Sequence, residues 1–288
     1  MSYTVFRRLS SRDRSLILLA LLWVAATGVA AVFGLPLPLL VLSPCVLLGG
    51  IICLVLLVKG KVEEAKEELT RQQDEISSNT ISQLQHLIFL EAYLKPRLPL
   101  PMTRRWAASP DFLQLLVETI VETRPTCVVE AGSGVSTIVG AYTLKREGID
   151  GKIYSLDESS EFADQTRRLV RLHGLEDYVT VCHAPLCPSG AKAKDMDWYD
   201  TSCLEHGRRV DLLIVDGPSA YGEDAGLARY PAYPLLRDSL APDAVILMDD
   251  AGRKGERNVL RMWHDEYPEL TMSERFCEKG AVVLKRRL

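Results

Sequence analysis

From residue 126 onward, strand-length apolar runs alternate with amphipathic helical stretches, and this alternation restricts the chain more than any other feature. A helix over 111–122 precedes it, with Ser109 as N-cap, Pro110 at the first helical position and Phe112, Leu115, Leu116, Ile120 and Val121 as an apolar face. The pattern then predicts strands over 126–131, 152–156, 178–182, 211–215 and 244–248, separated by helices over 136–146, 160–173, 198–206 and 233–240. A helix over 256–264 and two strands around 270–274 and 281–285 complete it. Regular alternation of this kind means a largely parallel sheet, because each crossover helix must cover a sheet face before the next strand is laid down. The expected fold class is α/β, a seven-stranded, mostly parallel sheet with helices on both faces. Ligands of such sheets sit beyond the carboxyl ends of the strands.

The first hundred residues differ in character. Residues 15–33 and 37–58 are two apolar runs without a charge, each close to the roughly 20 helical residues that cross a bilayer core. Only Gly34-Leu35-Pro36-Leu37-Pro38 joins them, while Arg7, Arg8, Arg12 and Arg14 precede the first and Lys59 and Lys61 follow the second. This reads as a transmembrane helical hairpin with both ends, and the domain that follows, on the cytoplasmic side of a membrane. A signal peptide fits less well, since a second span follows the first directly. The expected organisation is a basic N-terminus over 1–14, the hairpin over 15–58, a helical stalk and proline-rich linker over 59–100, and an α/β domain over 101–288. In the stalk, Val62, Leu69 and Ile76 recur every seven residues, which suits either a self-associating seam, hence a homo-oligomer, or a solvated stalk.

Composition excludes some classes. The net charge is −4 and no Lys/Arg block dominates the second half, so the footprint of a nucleic-acid partner is missing. Cys45, Cys53, Cys127, Cys182, Cys187, Cys203 and Cys277 show no spacing that would hold zinc, and they read as reduced thiols.

The first strand of the α/β pattern runs into Glu130-Ala131-Gly132-Ser133-Gly134-Val135-Ser136-Thr137. Glycines there allow a tight turn and close backbone approach, and the helix N-terminus that follows offers free N–H groups. Asp157 ends the next strand, where a carboxylate can accept from both hydroxyls of a ribose. The missing third glycine and the carboxylate of Glu130 disfavour a pyrophosphate and suit a ligand that carries an ammonium group.

In these residues the chain resembles the class I S-adenosylmethionine-dependent methyltransferases, which are Rossmann-like, and among them the metal-dependent catechol and sugar O-methyltransferases. The likeness spans about 106–288 and rests on Glu130-Ala131-Gly132-Ser133-Gly134, Asp157, Ala184-Pro185-Leu186, Val215-Asp216-Gly217-Pro218 and Met248-Asp249-Asp250-Ala251. It implies an enzyme using S-adenosylmethionine. Glu130, Gly132, Ser133, Gly134 and Thr137 would hold the methionine part, Asp157 the ribose, Ala184 the adenine side, and Asp216 would reach the cofactor from the neighbouring strand.

Asp216 ends the fourth predicted strand and Asp249-Asp250 the fifth, and adjacent strands about 4.8 Å apart bring the three carboxylates to one rim. The resemblance implies Mg²⁺ or Mn²⁺ on Asp216, Asp249 and Asp250; as residues alone they suit loop and helix capping equally. Ser219 stands where the catechol enzymes carry a lysine base, so Lys254 or His183 is left as the candidate base beside Asp216. Trp106, Tyr221 and Tyr230 are candidate acceptor-pocket residues. The expected acceptor is membrane-associated, such as a lipid-linked sugar, on the strength of the anchor, with a small soluble phenol or sugar as the alternative. A non-catalytic membrane scaffold is the third reading, and the retained Glu130, glycines and Asp157 speak against it.

Overall fold

The computed structural model describes residues 25, 28, 29, 32 and 37–288, without 105, 191–192, 195, 205–206, 220–224 and 287–288, and with side chains omitted at 37–47 and 225. The chain divides into two units, Met1–Ser78 and Asn79–Leu288. A long helix α1 (Leu37–Leu94) opens the described chain, followed by α2 (Pro110–Thr123), β1 (Cys127–Ala131), α3 (Val135–Arg146), β2 (Lys152–Asp157), α4 (Ser160–His173) and β3 (Val179–His183). Then come a small hairpin of β4 (Leu186–Pro188) and β5 (Asp197–Tyr199), β6 (Val210–Val215), α5 (Ala232–Leu236), β7 (Leu240–Asp249), α6 (Lys254–Glu266), β8 (Leu270–Arg275) and β9 (Ala281–Arg286).

The main sheet has seven strands in the order β3-β2-β1-β6-β7-β9-β8. The first five are mutually parallel, and β9 runs antiparallel between β7 and β8. Alternate strand residues therefore fill two separate cores. On one face Val128, Ile153 and Leu212 meet Phe112, Leu116 and Ile120 of α2 and Ile138 of α3. On the other, Val129, Leu213, Ile246 and Met248 meet Tyr233 of α5 and Trp263 of α6. Trp263 is fully buried and donates its indole N–H to the Tyr230 carbonyl at 3.0 Å. Trp263→Ala is expected to destabilise the domain by about 3–5 kcal/mol, through lost burial and the cavity left behind. Urea unfolding followed by circular dichroism measures it, and a loss under about 1 kcal/mol would contradict this packing.

The strand order reverses direction between β1 and β6, so their carboxyl ends flank a crevice. Register fixes what meets there. Ala131 pairs with Val215 and Val215 with Met248, so Gly132, Asp216 and Asp249 emerge side by side.

Several expectations need correction. Among the described residues no helix is long and apolar enough to cross a membrane, which contradicts the expected multi-pass membrane localisation and leaves the two-span anchor unsupported. The expected span 15–33 lies largely outside the described residues. In α1 the charge-free residues 37–58 are followed by Lys59, Lys61, Glu63 and Glu64. Val62, Leu69 and Ile76 are all exposed along this helix.

Among the described residues of 198–206 the expected helix does not form. Trp198 and Tyr199 lie in β5, paired with Cys187 and Leu186, and Asp200 turns the chain by accepting from the Ser202 N–H at 2.9 Å. Such an Asx turn competes with helix propagation. Strand β7 starts four residues before the expected 244, with a register break opposite Asp211, where Pro242 has no N–H to give to a ladder. The reduced-thiol expectation also fails for one pair, since Cys182 at the end of β3 is disulfide-bonded to Cys203 in the segment after β5.

Candidate functional site

The crevice is built around two glycines. Gly132 follows β1 with φ +97°, a conformation in the left-handed half that a side chain would strain. A Cβ at Gly132 would stand 3.2 Å from the Gly217 nitrogen, and one at Gly217 would collide with the Tyr199 hydroxyl. The Asp216 and Gly217 N–H groups both donate to the Ala131 carbonyl, at 3.0 and 2.7 Å, and so hold the two strand ends together. The result is a backbone-lined seam, open to a ligand, above which α3 begins at Val135.

Asp157 closes one side of this seam. Its Oδ2 accepts from the Ser133 hydroxyl at 2.5 Å and its Oδ1 from the Ser159 N–H at 3.0 Å, so a carboxylate at the end of β2 is pinned to the glycine turn after β1. Burial raises its pKa, and the Ser133 hydrogen bond opposes the shift. Ala184 is buried beside it, donating its N–H to the Asp157 carbonyl at 2.8 Å.

Glu130 is fully buried beneath the start of α3. Its Oε2 accepts from Thr137 Oγ1 at 2.5 Å and Ser155 Oγ at 2.7 Å, and Thr137 Oγ1 in turn accepts from the Gly134 N–H at 3.0 Å. Burial pushes the Glu130 carboxyl up to about 7, against the Ser136, Ser155 and Thr137 hydroxyls that favour its ionised form. Its Oε1 has no partner among the described residues. An orphaned acceptor under a cradle that only glycine permits fits the ammonium end of S-adenosylmethionine, and Asp157 fits its ribose.

Asp216, Asp249 and Asp250 converge as their strand positions dictate, each offering an oxygen within 4.8 Å of the others. Asp250 takes φ +60°, a left-handed turn that Asp tolerates, with its N–H on Asp249 Oδ1 at 2.7 Å. Three basic side chains of the domain reach the cluster. Arg229, whose side chain is 6% exposed, lies 2.9 Å from Asp250 Oδ2, 3.6 Å from Asp216 Oδ1 and 3.7 Å from Glu256 Oε1. It also donates to the Asp249 carbonyl at 2.8 Å. Arg253 meets Asp250 Oδ2 at 2.9 Å, and Lys279 lies 3.6 Å from Asp250 Oδ1. Burial acts to lower the Arg229 pKa, and the Asp216, Asp250 and Glu256 carboxylates more than offset it. Asp216 is pushed up by burial against the pull of Arg229, and Asp249 well up by burial and by its two aspartate neighbours.

The sequence pattern did not single out Arg229 or Lys279. A lone cation in the apolar, tyrosine- and proline-rich stretch Leu227-Ala228-Arg229-Tyr230-Pro231 was the available sign that Arg229 is buried and paired. Lys279 in a hairpin turn carried no such sign. Neither Lys254 nor His183 makes a described hydrogen bond or ion pair with the cluster; both are exposed, His183 opposite Asp157 on β3 and Lys254 at the start of α6. Tyr230 is buried, its hydroxyl donating to Glu266 at 2.5 Å. Tyr221 lies outside the described residues. Trp106 is 85% exposed, next to Ala107, whose carbonyl accepts from Lys279. A cleft of about 1030 Å³ lined by Met102, Arg104, Arg253, Glu278 and Lys279 adjoins the acidic cluster through Arg253 and Lys279. Arg104 is held there by Glu278.

Comparison with known proteins matches residues 129–251 to a family described as "Methyltransferase domain". No curated protein matches the chain by sequence. Among solved structures, the SAH-bound Podospora anserina methyltransferase PaMTH1 is similar at TM-score 0.50 and 16% identity, over 75% of this chain and 95% of that one. An O-methyltransferase from Bacillus cereus in complex with SAH aligns at 0.47 and 17%, over 71% and 90%. A methyltransferase from Geobacter sulfurreducens aligns at 0.45 and 17%, over 72% and 90%. At 16% identity the likeness to PaMTH1 establishes the fold alone. The family match, from within β1 to just beyond the end of β7, marks a methyltransferase domain in this chain and makes it a methyltransferase enzyme.

Proposed function

We propose that the chain transfers the methyl group of S-adenosylmethionine to an oxygen of a small hydroxylated acceptor, a phenol or a sugar, entering from the cleft beside Asp216, Asp249 and Asp250. The observation that carries this reading is the shared strand register, which sets the Gly132–Gly217 seam, Asp157 and the acidic rim along one edge. Glu130 and the turn over Gly132, Ser133 and Gly134, braced by Thr137, would receive the methionine part. Asp157 would take the ribose, with Ala184 on the adenine side, and Asp216 would face the transferring methyl. The acceptor approaches in line with the bond being broken, so the rim's main task is to hold an oxygen at attacking distance and to take up its proton. The lipid-linked acceptor rested on the anchor alone, which the described residues do not support.

Isothermal titration of S-adenosylhomocysteine into the full-length protein tests the cofactor half, with saturable 1:1 binding expected. No heat and no thermal stabilisation would sink the reading. The acceptor half is tested by methyl transfer from labelled cofactor to a panel of phenols and sugars, read as radiolabel on oxygen.

A further inference from the structure

The acidic rim poses a problem of charge that the chain solves with its own residues. Asp216, Asp249, Asp250 and Glu256 place four carboxyl groups around one point, in a region where each of the last three is at least nine-tenths buried. Such a group needs a counter-cation. A divalent ion is one solution, and hard oxygen ligands of this kind would suit it. The geometry points to the other. We propose that the Arg229 guanidinium occupies the place a divalent cation would take, so that this rim works as a built-in ion cluster and binds no metal.

The contacts are those of a central cation. Arg229 reaches Asp250, Asp216 and Glu256 through nitrogens 2.9, 3.6 and 3.7 Å from their oxygens, and it also donates to the Asp249 main-chain carbonyl. One planar fork thus touches all four acidic residues from the inside, as its fixed donor geometry permits. Arg253 and Lys279 close the cluster from the cleft side, both directed at Asp250. A metal ion entering here would sit against three positive groups. It would also find few free ligands: Asp249 Oδ2 and Asp250 Oδ1 are the cluster's two buried oxygens without a hydrogen-bond partner among the described residues, where Mg²⁺ asks for about six ligands and Ca²⁺ for six to eight. Asp250 Oδ1 already faces Lys279.

The inference rests on the methyltransferase reading only in its consequence for the acceptor. A rim that holds an oxygen by hydrogen bonds to fixed ionic groups has no need of the adjacent oxygen pair that chelation to a metal demands. Acceptors with an isolated hydroxyl then qualify.

The test uses Mn²⁺ as the probe, read by electron paramagnetic resonance on the full chain with S-adenosylhomocysteine bound, so that loss of the cofactor reading would appear separately as loss of that ligand. The wild type is expected to leave Mn²⁺ free in solution, and stoichiometric bound Mn²⁺ would overturn the proposal. Arg229→Ala is expected to melt at a lower temperature, to bind Mn²⁺ at least about 100-fold more tightly than the wild type, and to recover melting temperature when Mn²⁺ is added. A variant that melts with the wild type, or that folds and ignores Mn²⁺, also overturns it. Should the variant not fold, the wild-type titration decides alone.

Discussion

Asp157→Ala is expected to weaken S-adenosylhomocysteine binding by at least about 100-fold, because a carboxylate accepting from two ribose hydroxyls makes two charge-assisted hydrogen bonds of roughly 1.5–3 kcal/mol each. Titration calorimetry of the variant against the wild type measures it. Binding within about threefold of the wild type would mean that the ribose lies elsewhere. The variant has a second effect that must be separated from the first. Asp157 also accepts from the Ser133 hydroxyl and the Ser159 N–H, so alanine frees the glycine turn and the start of α4. Asp157→Asn separates the two, since it keeps one oxygen acceptor for the scaffold while removing the charge. Its melting temperature should lie close to that of the wild type, and its affinity between those of the other two forms.

The parts of the fold and site that could be read from the sequence are those where local pattern and tertiary environment agree. The sequence pattern placed all seven strands of the main sheet, the five parallel ones because a parallel strand buried on both faces is a continuous apolar run whatever its neighbours are. Strand ends then located Gly132, Asp157, Asp216 and Asp249 without further information. The failures have a common cause. The hairpin of Leu186–Pro188 and Asp197–Tyr199 is stabilised by burial of Trp198 and Tyr199 against the sheet, which no local periodicity reports. The bond between Cys182 and Cys203 joins residues 21 apart with no spacing signature. The hydrogen bond from Tyr230 to Glu266 joins residues 36 apart, which the loop sequence does not announce. Arg229 belongs with these: its acidic partners come from three separate segments, and only the assembled sheet makes the lone cation necessary.

Glu130 gives the second large effect, and it is one of pH. Its carboxyl is raised from 4.5 to about 7 by complete burial. A carboxyl raised on folding binds its proton more tightly in the native state, so the unfolded chain ionises first as pH rises. The stability this group contributes is therefore whole below about 4.5, falls between about 4.5 and 7, and is gone above that range. A shift of this size corresponds to on the order of 3 kcal/mol. Glu130→Gln removes the ionisation while keeping shape and an acceptor for Thr137 and Ser155. Wild type and variant share every other titrating group, so the difference between their unfolding free energies, measured by urea at pH 5 and pH 8, isolates this one. The wild type should lose more stability than the variant across that interval; parallel losses would mean that Glu130 titrates as an ordinary carboxyl. Cofactor binding should run the opposite way. An ammonium group near the unpartnered Oε1 favours the ionised form, so affinity for S-adenosylhomocysteine should rise with pH up to about 7 in the wild type and lose that slope in Glu130→Gln. A wild-type affinity that is flat from pH 6 to 8 would place the ammonium away from Glu130 and leave this carboxyl as a brace for the start of α3 alone.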